Sequence, residues 1–284
     1  EFENVPAEAA RLVQAETHLR PGVRALELTQ DRLVEKDFLN ESGVKTAPYK
    51  AFTTIEEFEE AFAVIGRPAV AKTRRFGYDG KGQMMVKSRR DAAAVLEVTK
   101  GTPAILEGFV SFDREISVIV ARSPSGDVAA FPVGENVHTN HILDTTTIPA
   151  VISAKLEAKA KVLATKAANA LEYVGVMAVE MFVTDATGEI VVNEIAPRVH
   201  NSGHWTIEGA ETSQFEQHVR AICDLPLGQT GALGNVLMKN LLGTEILNAD
   251  KYLSDPEANY HHYGKQDPRE GRKMGHVTWI TPTA

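Results

Sequence analysis

The segment NEIAPRVHNSGHWT, running from Asn193 to Thr206, constrains the fold more than any other part of the chain. It follows the apolar run Ile190-Val191-Val192. A strand is therefore expected to end by delivering Asn193 and Glu194 into a loop that carries Arg198, His200, Asn201 and His204. A second carboxylate, Glu180, sits inside the apolar stretch AVEMFV, and the turn sequence DATG, Asp185 to Gly188, separates the two runs. Two strands joined by such a turn predict a hairpin that brings Glu180 close to Asn193 and Glu194. In a period-two reading Ala178 and Phe182 share the face of Glu180. Acids on buried strands are costly unless something positive compensates them. A magnesium ion carrying nucleotide phosphates is the natural partner, because it favours carboxylate oxygens.

Bulk composition narrows the partners. With 284 residues, 43% of them hydrophobic and 24% charged, the chain can bury a core in one large domain or two smaller ones. A net charge of −8 argues against nucleic acid as the main partner, while leaving room for a local cationic pocket that takes a small anion. Cys223 stands alone, so no internal disulfide forms and a reducing, cytoplasmic setting is expected. Its place in the helical pattern FEQHVRAICDL predicts a small core filler rather than a nucleophile. No run approaches the roughly 20 apolar residues of a membrane span, and the first residues lack the pattern of a signal peptide. EFENVP reads as the end of a strand and GHVTWITPTA as a strand just begun, so a piece of a longer enzyme is expected.

Helix and strand signals follow in order. Pro6 to His18 reads as a short amphipathic helix closed by Pro21-Gly22, and Thr29 is expected to cap a helix from Gln30 to Glu41 that ends at Ser42-Gly43. Thr54 and Glu57 form a capping box for the helix EEFEEAFAVIG. Strand PAVAKT, loop RRFGYDGKG, strand QMMVKS, a helix RRDAAAVLEVTK capped by Ser88, and strand AILEGFV complete a compact α+β module over residues 51–110. Then come strand EISVIVARS, a turn at Pro124 to Asp127, a single strand VAAFPVGENV, a polar connection HTNHILDTTT, and a long helix from Ser153 to Leu171. After the hairpin, Thr212-Ser213 opens a helix through Cys223; strand NVLMKNLLG, a polar loop and the strand RKMGHVTWI follow. No internal repeat or low-complexity segment is evident. The number of strands predicts mixed α+β with largely antiparallel sheets.

Several side chains could carry chemistry. Lys72 ends the strand Ala69-Val70-Ala71 and can hold phosphate as a point charge. The loop Gly77-Tyr78-Asp79-Gly80-Lys81-Gly82-Gln83 carries three glycines, which let backbone N–H groups wrap phosphate oxygens. It is neither a Walker A motif nor a dinucleotide fingerprint, since a strand rather than a helix follows it. Ile105-Leu106-Glu107-Gly108-Phe109-Val110 can line an adenine slot, although a core strand explains it equally well. Glu115 could bind ribose hydroxyls or be a surface acid at a strand start. Arg198, His200 and Asn201, near two acids, read as a substrate platform for an oxyanion, with His204-Trp205 as its buttress. Lys265, Arg269, Arg272 and Lys273 form a basic cluster, either a solvated face or a phosphate anchor.

Taken in this order, the lysine strand, the glycine loop, ILEGFV with the following REIS, and the paired E and NE resemble the ATP-grasp enzymes. FGYDGKGQ together with NEIAPRVHNSGHWT is similar to the 5-(carboxyamino)imidazole ribonucleotide synthase family of purine biosynthesis, and the likeness runs from EFENVP to GRKMGHVT. D-alanine ligases and biotin carboxylases share the magnesium carboxylates but are not expected to carry the NSGHWT loop. The resemblance implies an α+β, ATP-grasp fold. Residues 51–110 would be a small α+β lid subdomain, residues 29–50 and 111–284 a larger core of mixed or antiparallel sheet, and residues 1–28 the remnant of an N-terminal Rossmann-like domain, with Glu3 and Asn4 in a substrate wall.

The resemblance also implies site residues. ATP would be contacted by Arg32, Lys72, the loop Gly77, Tyr78, Asp79, Gly80, Lys81, Gly82 and Gln83, then Glu107, Gly108, Phe109, Val110, Glu115, His138, Asn193 and Glu194. Glu180 and Glu194 would hold Mg2+. The substrate 5-aminoimidazole ribonucleotide would meet Tyr78, Asp79, Lys81, Arg198, His200 and Asn201, with Lys265 and Arg272 on its 5′-phosphate and Lys273 a further candidate there. The implied reaction activates bicarbonate with ATP as carboxyphosphate and carboxylates the exocyclic amine. Arg198, His200 and Asn201 would place the anion, Lys81 would join them, and Asp79 would act on the amine. A homodimer is implied as well. The rivals are another ATP-grasp ligase, such as a formate-dependent glycinamide ribonucleotide transformylase, and a nucleotide-binding module that has lost the reaction.

Overall fold

The computed structural model describes residues 3–77, 80–184 and 187–282. Contacts divide the chain into two compact units, Glu1–Asp113 with Glu180–Pro197, and Arg114–Val179 with Arg198–Ala284.

The first unit opens with helices α1 (Ala7–Glu16), α2 (Val23–Thr29) and α3 (Arg32–Glu41). The expected cap at Thr29 is corrected. Thr29 closes α2 by donating its hydroxyl to the Ala25 carbonyl at 2.8 Å, and Asp31 caps α3 by accepting from the Leu33 N–H at 3.0 Å. Asp31 also takes a two-pronged bond from Arg74, at 2.8 and 2.7 Å, which no threonine could accept. Strands β1 (Tyr49–Phe52), β2 (Ala69–Thr73), β3 (Gln83–Val86) and β4 (Ala104–Gly108) form an antiparallel sheet in the order β1-β4-β2-β3, accompanied by α4 (Ile55–Ile65) and α5 (Ala92–Thr99). The capping box at the start of α4 is present, Thr54 and Glu57 each satisfying the other's backbone N–H. Ser88 caps a 3-10 turn, Arg89–Asp91, rather than α5 itself. Phe58 packs edge-on against Phe52, ring centroids 5.4 Å apart, over Ala61, Val86, Val95 and Leu106. Full burial of one such ring is worth about 2–3 kcal/mol. The sheet β1–β4 with α4 and α5 thus encloses a core cluster of its own.

The second unit begins with β5 (Phe112–Arg122), β6 (Val128–Ala130), β7 (Gly134–Thr139), β8 (Ile142–Ile148) and α6 (Ala154–Ala170), the last capped by Ser153 as expected. The hairpin of β9 (Gly175–Thr184) and β10 (Ile190–Ala196) is followed by α7 (Thr206–Gly209), α8 (Gln214–Ile222), β11 (Asn235–Leu242), α9 (Ala249–Leu253), β12 (Asn259–His262) and β13 (Lys273–Thr281). The large sheet has the order β10-β9-β5-β7-β8-β11-β13-β12, with β6 on β5. The fold class is as expected. No helix among the described residues is long and apolar enough to cross a membrane.

Four expectations fail here. The run VAAFPVGENV is two strands, because Pro132 brings no N–H to a ladder. HTNHILDTTT is no loop but the β7–β8 hairpin. Asn140 and His141, at φ 51° and 64°, make its turn, and the β-branched Thr145–Thr147 pair with β11. Thr146 is fully buried and donates its hydroxyl to Asn136 at 2.9 Å. The polar loop after β11 likewise contains α9 and β12. Cys223, expected in the core, is exposed: α8 buries the stripe Gln214, Gln217 and Ala221, and Cys223 lies past its end.

The hairpin is as expected, closed by the Thr184 N–H donating to the Glu189 carbonyl at 2.9 Å; Asp185 and Ala186 lie outside the described residues. Val179, Met181 and Val183 are buried while Glu180 and Phe182 are half-buried, so Glu180 sits on the other face of β9 from those three. Ala178, on that alternate face, is fully buried. Within the first unit, β10 is fastened beside Lys45 and Thr46 by the Val192 N–H, which donates to the Lys45 carbonyl at 2.9 Å.

Candidate active site

Charges concentrate inside the first unit where α3, β2, β4 and the end of β10 meet. Arg32 donates to Glu194 at 2.7 Å. Lys72, near the end of β2 as the sequence predicts, donates to Glu107 at 3.0 Å. Lys36, only 1% exposed, bridges the Asn193 carbonyl at 3.3 Å and the other Glu107 oxygen at 3.4 Å. Glu35 accepts from the Ile195 N–H at 2.6 Å. Burying so many charges is costly unless each is paired and hydrogen-bonded, and here they neutralise one another. Burial penalises the charged form of Glu107, but Lys72 and Lys36 outweigh it and hold the carboxyl below its ordinary range. Burial draws Lys72 down, with Glu107 offsetting part of the shift. Burial and then the Glu194 charge push Glu35 up to about 8, against the Ile195 N–H, Arg32 and Lys36. Burial opposes the charge on Arg32, yet Glu194 and Glu35 raise its pKa further above an already high value.

Glu35 and Lys36 were not singled out from the sequence. The signal was available: Arg32, Glu35 and Lys36 stand at i, i+3 and i+4, one face of one helix.

The glycine loop joins β2 to β3 as expected, Gln83 opposite Lys72 in the ladder. Gly82 has φ +71°, and a Cβ there would lie 2.6 Å from the Thr73 hydroxyl, so glycine is required. A Cβ at Gly77 would come within 3.2 Å of the Lys81 carbonyl, and Gly80 has φ +78°. Lys81 is exposed; Tyr78 and Asp79 lie outside the described residues. In the segment expected to line adenine, Glu107 and Gly108 end β4, Val110 is half-buried and Phe109 is exposed. The N–H groups of Gly108 and Phe109 already donate to the Pro48 and Pro68 carbonyls, at 2.8 and 3.1 Å.

The second unit gathers the other expected residues. Glu115 on β5 and His138 on β7 stand 2.6 Å apart. The loop after β10 is held from beneath by Gln214, which accepts from the His200 N–H at 2.9 Å and donates to the His200 carbonyl at 2.7 Å. His200 Nδ1 contacts the Ser202 hydroxyl at 2.8 Å. Asn201 and Asn240 exchange two amide bonds, at 2.9 and 2.7 Å. Arg198 donates to the Val199 carbonyl at 3.2 Å. Trp205, 1% exposed, meets Phe131 edge-on, which is the buttress the sequence suggested. His204 stacks on Phe215 at 5.5 Å; burial first, then the positive fields of His200, His261, Lys273 and Arg198, push its pKa down to about 3. Gln214 and Asn240 were missed because an amide in a helix or strand carries no motif.

Comparison with known proteins now decides the family. The ATP-grasp domain matches residues 37–215 and the phosphoribosylaminoimidazole carboxylase C-terminal domain matches residues 236–284. An N5-carboxyaminoimidazole ribonucleotide synthase of Brucella melitensis is 47% identical, over 99% of this chain and 78% of its own length. The chain belongs to the N5-carboxyaminoimidazole ribonucleotide synthase family. A solved ADP complex of such a synthetase superposes with TM-score 0.94 at 43% identity, over 99% of this chain and 74% of that one. A synthase from Aspergillus clavatus in complex with ADP and 5-aminoimidazole ribonucleotide superposes with TM-score 0.93 at 33% identity, over 100% and 76%.

Synthases of this family are ATP-dependent carbon–nitrogen ligases of purine biosynthesis, and the cofactor is ATP with Mg2+. The oxygen-only donors Glu180 and Glu194, on neighbouring strands, suit a hard cation such as magnesium. In the C-terminal basic cluster two of the cations donate to backbone carbonyls. Lys265 donates to the Lys273 carbonyl at 2.6 Å, and its pKa is lowered by burial, then by the nearby charges of Arg272 and Lys273. Arg272 donates to the Asp267 carbonyl at 2.8 Å, whereas Arg269 pairs with Asp267 on the exposed surface.

Proposed function

We propose that this synthase couples ATP cleavage to carboxylation of 5-aminoimidazole ribonucleotide by bicarbonate, with roles divided between the two sets of residues above. The observation that supports this division is the cluster of Arg32, Lys36, Lys72, Glu107 and Glu194, in which Lys36 and Glu107 are buried while Glu194 stays partly open. Lys72, Arg32 and the N–H groups of the glycine loop bind the phosphates of ATP, while Glu180 and Glu194 hold magnesium. When bound, that ion neutralises and orients phosphate oxygens. As the nucleotide enters, Arg32 passes from Glu194 to phosphate. Lys36 and Glu107 keep Lys72 in place, and the Glu115–His138 pair serves the ribose.

Phosphoryl transfer needs positioning and charge neutralisation more than covalent help. A bicarbonate oxygen attacks the γ-phosphorus and ADP leaves, giving carboxyphosphate. Arg198 binds this anion, and His200 and Asn201 place it on a loop stiffened by Gln214 and Asn240. The exocyclic amine then attacks the carboxyl carbon, phosphate leaves, and Asp79 takes the amine proton. Lys81 and Tyr78 belong to the same substrate set, and Lys265, Arg272 and Lys273 hold the 5′-phosphate. Carboxyphosphate hydrolyses readily, so water must be excluded; the sheet of β1–β4 with its glycine loop acts as the lid. A cytoplasmic homodimer is the form we expect.

The test is ADP release with a panel of ribonucleotides. Stimulation by 5-aminoimidazole ribonucleotide with bicarbonate, and none by glycinamide ribonucleotide with formate, is the expected outcome. The reverse preference assigns a different ligase reaction, and no ATP cleavage with any substrate makes this a binding module.

A further inference from the structure

Glu208 on α7, His261 on β12 and His276 on β13 converge in the second unit, and none of them enters the roles assigned above. One side-chain donor atom from each lies within 4.8 Å of the other two. His261 and His276 are direct cross-strand partners, their rings stacked 4.4 Å apart at 14°. Gly275 makes this approach possible, because a Cβ at that position would lie 2.2 Å from the His261 carbonyl oxygen. His261 Nε2 stands 2.5 Å from one oxygen of Glu208.

The other donor atoms of the cluster are unsatisfied. Glu208 Oε2 and His276 Nε2 are both shut off from solvent without a hydrogen-bond partner, and His276 as a whole is 1% exposed. A buried carboxylate oxygen and a buried ring nitrogen left unpaired side by side are a cost that the fold retains, and it calls for an occupant. The opposite ring atom, His276 Nδ1, lies 2.8 Å from the Tyr263 hydroxyl oxygen. With the Nδ1–H donated to that oxygen, Nε2 offers its lone pair to the cluster. A metal-ligating histidine is commonly fixed in this way by an outer hydrogen bond.

We propose that Glu208, His261 and His276 form a site for a borderline divalent cation, zinc or a close analogue, chemically unlike the oxygen-only magnesium pair Glu180 and Glu194. Two imidazoles and one carboxylate suit zinc, whereas magnesium avoids nitrogen donors. Zinc bonds of about 2.0–2.2 Å place tetrahedral donors roughly 3.3 Å apart. Donors already within 4.8 Å reach that spacing by side-chain rotation. The fourth position goes to water, and the partly open His261 side chain, 32% exposed, gives the ion its way in. Bound there, the cation staples α7 to the β12–β13 hairpin. His204 packs 5.3 Å from the His276 ring and bonds Gln214, which holds the His200 backbone, so the staple also stiffens the loop that carries His200.

The experiment uses the full chain dialysed against zinc in the presence of ADP and excess magnesium, so that the oxygen-only pair is already filled. About one equivalent of zinc is expected to remain, and cobalt in its place should give the strong visible bands of a four-coordinate ion. His261→Gln and His276→Gln should each weaken retention at least about 100-fold, and Tyr263→Phe by about 10- to 100-fold as an outer-shell change. Circular dichroism checks that each variant folds, and the cobalt spectrum of the unaltered chain needs no variant. No retained zinc, a six-coordinate cobalt spectrum, or retention unchanged in folded His261→Gln and His276→Gln would each overturn the assignment.

Discussion

Glu194→Gln removes one charge and little volume. ATP turnover should fall by at least about 100-fold, the scale typical for losing an electrostatic group at a reacting phosphate. The fold should survive, since the Glu194 side chain is 35% exposed and the Arg32 pair is not fully buried. Phosphate release at the unaltered rate would remove Glu194 from the metal site. Arg198→Ala should leave ATP binding intact and cut bicarbonate-dependent turnover, again by about 100-fold or more; unchanged dependence on bicarbonate would end that role. Glu35 makes a separate prediction for the metal-free protein. Its carboxyl, raised to about 8 in the fold, is ionised in the unfolded chain well below that pH. The folded state therefore binds more protons between roughly pH 4.5 and 8, and stability falls as pH rises through that window. Glu35→Gln should flatten this slope in urea titrations taken across it. At this scale the sequence was most legible where a residue's place follows from a strand pattern, as for Lys72 on β2 and Glu194 on β10. It was silent where a side chain works through a neighbour, as at Gln214 under His200.

At the scale of single elements, local chemistry was readable and long-range pairing was not. The box of Thr54 and Glu57 needs only residues three apart, and it is present. The cap of α3 was assigned to Thr29 because the sequence does not reveal that Arg74 requires a carboxylate at Asp31, 43 residues away. Asp31→Ala should cost about 1–3 kcal/mol, combining a lost cap with an unpaired Arg74. Asp31→Asn, which can still cap, should recover part of that loss; urea denaturation of both variants measures the split, and equal losses would mean that the cap contributes nothing. β8 escaped notice for the opposite reason. Its Asp-Thr-Thr-Thr run looks like a connection until the sheet supplies partners on both sides, β7 and β11, and a buried Asn136 to receive the Thr146 hydroxyl.

At the scale of the whole chain, nucleotide and metal should act together. ADP at 100 times its dissociation constant should stabilise the protein by about 2.7 kcal/mol, and removing magnesium should shrink the rise in melting temperature. An equal rise without magnesium would separate the acids Glu180 and Glu194 from the nucleotide. The first unit is also assembled from two stretches of sequence, Glu1–Asp113 and Glu180–Pro197. Arg32 finds Glu194 162 residues later, and Glu35 finds Ile195 after 160. During synthesis at about 5–20 residues per second, the ribosome therefore exposes α3 for roughly 8–30 seconds before its partners exist. Throughout that interval the Arg32 guanidinium and the Glu35 carboxylate wait for the groups that β10 supplies, so the first unit is completed only once the hairpin has been made.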